Sequence, residues 1–132
     1  MLTSTGRRGF CCLLGALISG LAGAAQAGPP AAEMARIERL IVMVGTRKDM
    51  RLVRNGKEHD TDTAVQFLRG KLRYYSDDIK TAEDFITLCG TRSTTTGQLY
   101  WVRLTDGREM PAGDFLRVEL ARLDKAAAAS GR

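Results

Sequence analysis

The first acidic residue in this chain is Glu33, and most of what precedes it is apolar. That asymmetry divides the chain before any helix or strand is considered. Arg7 and Arg8 form a basic start, residues 10–25 are rich in Leu, Ala and Gly, and Ala25-Gln26-Ala27 has the small-x-small pattern that signal peptidase cleaves. The apolar run of about 16 residues falls short of the ~20 needed to cross a bilayer core, and Gly15, Gly20 and Gly23 dilute it further. Residues 1–27 are therefore expected to be an export signal, with Gly28 as the first mature residue and no permanent membrane span after cleavage. Arg7-Arg8-Gly9-Phe10 also resembles a twin-arginine signal, although Gly6 replaces the usual Ser or Thr and Cys11 the usual Leu. Export by the Sec route into the periplasm is the main expectation, and the twin-arginine route the alternative. Cys11 and Cys12 begin the apolar stretch rather than follow it, which speaks against a lipid anchor.

Cleavage would leave residues 28–132. They keep 18 of the 20 Lys and Arg residues and all 15 acidic ones, a net charge of +3 with the signs interspersed. No dense basic stripe of the kind a nucleic-acid binder needs is present. Cys89 would be the sole remaining cysteine, so no internal disulfide can form and the fold must rest on its apolar core. The length suits one domain.

Gly28-Pro29-Pro30-Ala31-Ala32 reads as a short extended linker. Met34, Ile37, Leu40, Ile41 and Val44 recur at helical spacing from Glu33, and Gly45 suits a left-handed C-cap. Residues 50–54 form a short strand candidate, closed by the turn signal Asn55-Gly56. A second helix starts near Asp60 or Thr61 and carries Ala64, Leu68, Leu72 and Tyr75 on one stripe, widened by Val65 and Phe67. Thr81-Ala82-Glu83-Asp84 has the form of a capping box, opening a third helix from Ala82 to about Cys89 that stops at Gly90. Residues 92–97 form a hydroxyl-rich loop. The clearest strand follows, Leu99-Tyr100-Trp101-Val102-Arg103-Leu104, and Asp106-Gly107 turns it back over residues 108–110. Pro111-Ala112-Gly113-Asp114 opens a last helix bearing Leu116, Leu120 and Leu123, and residues 125–132 have no amphipathic pattern and are expected to fray as a disordered tail. The expected fold is α+β: three or four helices packed on a small two- or three-stranded antiparallel sheet, in one domain over residues 33–124.

The order of segments resembles that of the YfeK-like family, small exported bacterial proteins of unknown function. The similarity rests on Val53-Arg54-Asn55-Gly56, on Phe67-Leu68-Arg69-Gly70-Lys71-Leu72, on Ile79-Lys80-Thr81-Ala82-Glu83-Asp84-Phe85-Ile86, and on the stretch from Thr96-Gly97 to Tyr100. It spans about residues 33–120. Phe67 stands where the family pattern often has His, so a His-based role would not carry over at that position. Cys89 also departs, standing where a plain apolar or small residue is expected. The resemblance implies an exported domain and brings no catalytic residues with it.

Metal binding has little support, since the mature part holds one His and one Cys, His59 and Cys89, where a zinc site wants three or four ligands. Asp60 and Asp62 read as helix capping, and neither a metal nor another cofactor is expected. Catalysis by a thiol or a hydroxyl would pair His59 with Cys89 or Ser93. Cys89, however, falls at the C-terminal end of its helix, where the dipole opposes a thiolate, and Ser93 lacks a nucleophile-elbow pattern. Adjacent carboxylates such as Asp77-Asp78 read as solvated helix-end residues. The remaining candidate is an anion-binding patch made by Arg54, Asn55, Arg69, Arg73, Arg92, Ser93 and Thr96. Arg69 and Arg73 share a helix face, whereas Lys71 diverges from Arg69 by about 200°. Arginine presents paired donors matched to carboxylate or phosphate, although these arginines would equally serve as partners of Asp and Glu. Trp101 or Tyr100, which strand alternation sends to opposite faces, would add an exposed aromatic contact. The function expected is a non-catalytic binding or interaction module of the cell envelope, its partner an envelope protein or anionic envelope ligand. The alternative is a small envelope hydrolase or thiol enzyme.

Overall fold

The computed structural model describes residues 28–131, so the expected export segment lies outside the described residues. Its elements are α1 (Ala31–Thr46), β1 (Met50–Arg54), β2 (Lys57–His59), α2 (Thr61–Tyr74), α3 (Ala82–Cys89), β3 (Trp101–Leu104), β4 (Glu109–Pro111) and α4 (Ala112–Ser130). The four strands form one antiparallel sheet in the order β2-β1-β3-β4. The class is α+β with four helices, and the sheet has one strand more than the largest number expected. β2 has no apolar pattern to announce it; the hairpin turn holds it in register, with Arg54 opposite Lys57. Asn55 and Gly56 sit at φ 52° and 76°, the paired left-handed conformation that two-residue hairpins require.

β1 and β3 pair at the centre of the sheet although some fifty residues separate them, with Leu52 opposite Val102. Met50, Val102 and Tyr100 are buried beneath the helices. Trp101, on the alternate face, is 37% exposed, and Arg103 beside it ties Glu58 of β2 to Glu109 of β4. α1 packs against all three other helices, and its Ile37, Leu40 and Ile41 are fully buried. Phe85 and Ile86 of α3 complete that centre, with Leu68, Phe115 and Leu116 beside them.

Local chemistry sets the helix ends. Asp60 accepts a hydrogen bond from the Thr63 N–H at 2.8 Å and opens α2. Thr81 and Asp84 form the capping box of α3, and Glu33 of α1 accepts from the Ala82 N–H at 3.0 Å, placing a second carboxylate at that helix start.

Besides the strand read as residues 99–104, which begins at Trp101, three boundaries depart from the sequence reading. α1 begins at Ala31, drawing two residues from the expected linker, because Pro30 is tolerated where no intrahelical N–H is needed. Gly45 lies inside α1; a Cβ there would sit 3.3 Å from Val65 Cγ2, so the missing side chain lets α1 and α2 approach. α4 continues to Ser130 where fraying was expected, since consecutive alanines favour helix even without an apolar stripe.

Candidate functional site

The hairpin tip and the hydroxyl-rich loop are stapled together. Asn55 Oδ1 accepts from Thr96 Oγ1 at 2.6 Å, and Asn55 Nδ2 donates to Ser93 Oγ at 3.4 Å. Ser93 is 1% exposed, and its hydroxyl also accepts from the backbone N–H groups of Thr95 and Thr96. Three donors converge on that one oxygen, so Ser93 closes the loop. Lys71 of α2 holds the other end: its Nζ donates to the Arg92 carbonyl at 2.7 Å and to the Tyr100 hydroxyl at 3.2 Å. Arg54 leaves the end of β1 and stacks over Phe67 of α2, its guanidinium carbon 4.5 Å from the ring centroid.

Between these parts lies an open cleft of about 230 Å³, lined by Arg54, Gln66, Phe67, Gly70, Lys71, Thr94 and Tyr100. Its lining contains two cations and no carboxylate. Arg54 Nε is sealed from solvent and has no hydrogen-bond partner among the described residues, which leaves the Nη end of the guanidinium to do the bonding. Of the three Lys71 ammonium protons, two have the partners just named.

The residues expected to form the anion patch divide. Arg54, Asn55, Ser93 and Thr96 come together, Arg54 on the cleft wall and the other three as the frame beside it. Arg92 joins through its backbone carbonyl, not its side chain. Arg69 is elsewhere: it forks onto Glu38 of α1 at 2.9 and 3.2 Å, and the carboxylate's hydrogen bonds raise its pKa. Arg73 is exposed one turn further along and does not line the cleft. Helix geometry explains the correction, because the face of α2 that carries Arg69 meets α1 while the opposite flank carries Phe67 and Lys71. Trp101 lies with Val53, Leu99 and Gln98 in a separate shallow groove beyond the hairpin tip.

Sequence reasoning passed over Lys71 and Phe67 as site residues. Their i, i+4 spacing beside the buried Leu68 and Leu72 pair puts both on one flank of α2, but only the structure shows that this flank faces the end of β1.

The residues considered for catalysis are dispersed. His59 packs edge-on against Phe67, ring centroids 5.2 Å apart. Cys89 is 1% exposed, and burial pushes its thiol up to about 12, the positive charge of Lys71 acting in the opposite direction. It borders a small apolar cavity of about 40 Å³ with Thr61, Phe67 and Tyr100. Among the described residues no hydrogen bond joins His59 to Cys89 or Ser93, and no cluster of His, Cys, Asp or Glu is able to hold a metal ion. Asp60 is held below the usual carboxylate range by the Thr63 N–H, while Asp62 pairs with Lys48 at 2.8 Å. No helix among the described residues is long and apolar enough to cross a membrane.

The fold and the cleft define a small α+β domain with a carboxylate-free cationic recess at one end of its central strands. The chain belongs to the family of unknown function DUF5329, whose model matches residues 31–124. It is similar to the uncharacterized protein YfeK of Salmonella typhimurium, with 40% identity over 68 residues. The match covers 52% of this chain and 57% of that relative, so the chain spans little more than half of the relative's length. The likeness to a YfeK-like family therefore holds. No solved structure matches.

Proposed function

We propose that this chain is an exported, non-catalytic binding module of the cell envelope, and that it holds an anionic group in the cleft between Arg54 and Lys71. The carrying observation is that both cations face a common recess whose lining includes no Asp or Glu. Most other arginines of the fold are paired, as Arg36 is with Asp124, Arg47 with Asp49 and Arg69 with Glu38. A guanidinium stacked on an aromatic ring keeps its orientation, so little freedom is lost when an anion arrives. Export rests on the basic start, apolar run and cleavage pattern of residues 1–27, and places the module in the periplasm.

Two measurements test this reading. Intact-mass analysis of the protein from a periplasmic fraction is expected to give a chain beginning at Gly28; a cytosolic chain that retains its first residues contradicts export. For binding, amide chemical shifts are followed during titration with sodium acetate, sulfate and phosphate at constant ionic strength. Shifts should cluster at residues 54, 66–71, 94 and 100, and a flat response there to every anion removes the cleft as a binding site.

A further inference from the structure

We infer that the anion suited to this cleft is a dianionic phosphoryl group, either free phosphate or a phosphate monoester, rather than a carboxylate. The inference rests on the anion-binding reading above and adds to it the class of ligand.

Charge is the first ground. Arg54 and Lys71 bring two positive charges to a recess whose lining brings no negative one. A monocarboxylate leaves one of the two uncompensated, while a phosphate monoester carries about −1.5 to −2 at neutral pH and matches the pair.

Donor geometry is the second. The donor-bearing residues of the lining come from three elements: Arg54 from the end of β1, Gln66 and Lys71 from α2, and Thr94 from the loop. A carboxylate accepts mainly in its own plane and is best met by one fork. A tetrahedral phosphoryl group offers three oxygens and accepts from all round, as donors on a strand, a helix and a loop require.

Size is the third. At about 230 Å³ the cleft is smaller than the ~300–1,000 Å³ typical of pockets that enclose a whole small molecule, so it accommodates a terminal group and leaves any remaining ligand outside. The Phe67 and Tyr100 rings already carry cations, at 4.5 and 4.9 Å, which argues against a nucleobase stacked between them.

The test uses the protein as recovered from cells, at pH 7.5 and fixed ionic strength. Inorganic phosphate is compared with acetate, and phenyl phosphate with benzoate, by the same amide shifts. Phosphate and phenyl phosphate are each expected to bind at least tenfold more tightly than the carboxylate of matching shape. Lys71→Met should bring phosphate to within about threefold of acetate. Arg54→Lys, which keeps the charge but loses the fork, should weaken phosphate at least tenfold, with circular dichroism confirming that both variants are folded. If phenyl phosphate binds more tightly than inorganic phosphate, the source is a monoester of a larger molecule; the reverse order assigns free phosphate, and either order supports the phosphoryl class. Acetate binding as tightly as phosphate at these residues overturns the phosphoryl assignment but leaves the anion cleft standing. No response to any anion overturns both.

Discussion

Cys89 shows how the same side chain reads differently in one dimension and in three. In sequence it is the only cysteine after Cys12 and so the natural suspect for thiol chemistry. In the fold it ends α3 among Phe67, Leu116 and Tyr100, where desolvation outweighs the nearby Lys71 charge and holds the thiol protonated, its pKa pushed up to about 12. Thiolate is the reactive form, so iodoacetamide at pH 7.5 should label the native protein far more slowly than the protein unfolded in guanidinium. Equal rates would mean that the native thiol is as accessible as in the unfolded chain and that burial does not raise its pKa. The residue types of the candidate site are partly legible in the sequence: Arg54, Asn55, Ser93 and Thr96 are candidates there, and the fold brings them together. What the sequence could not supply was which flank of α2 faces β1. Periodicity identifies the buried stripe around Leu68 and Leu72, and the sequence favours Arg69 because Arg73 shares its face while Lys71 diverges from it by about 200°. Contacts formed across 21 to 31 positions distinguish them: Arg69 meets Glu38, and Lys71 meets the Arg92 carbonyl and the Tyr100 hydroxyl.

At the level of helices and strands, chemistry that acts over three or four residues was the most readable. The capping box at Thr81 and Asp84, the Asp60 cap and the Asn55-Gly56 hairpin each occur where their local rules place them. Features that carry no pattern of their own are not readable. β2 is polar and is held by its hairpin with β1, and the close approach of Val65, which a side chain at position 45 would crowd, is visible only across two helices. The α3 start admits a direct test. Its exposed N–H groups are met by Thr81 Oγ1 at 3.0 Å, by Asp84 and by Glu33. Thr81→Ala removes one of the three and should cost about 1 kcal/mol in a denaturant melt. Thr81→Ser, which keeps the hydroxyl, should lie close to the parent. Ala and Ser variants of equal stability would show that Glu33 and Asp84 suffice to hold this helix end.

Taken as one body, the molecule is an apolar core overlaid by short-range ion pairs and carboxylate caps, and its response to acid follows from them. Asp49 is held below the usual carboxylate range by hydrogen bonds from Arg47. Asp84 is lowered by the Lys80 and Thr81 N–H groups, Asp60 by that of Thr63 and Asp106 by that of Arg108. All four shifts have the same direction. An Asp in the unfolded chain takes up its proton near pH 4, whereas these hold out to lower pH in the native state, so in that interval the unfolded state binds more protons. Stability therefore rises with pH through this interval. The contribution of the four groups is fully present above about pH 4 and is lost as the pH falls through their lowered native values. A thermal midpoint that is level from pH 7 to 5 and then drops steadily towards pH 2.5 is the expected result. The Asp84→Asn variant should start lower at pH 7 and lose less on acidification, because an amide accepts hydrogen bonds but does not titrate. A midpoint equally level down to pH 2.5 in both proteins would mean that these carboxylates have no preference for the native state, and that the core alone determines its stability.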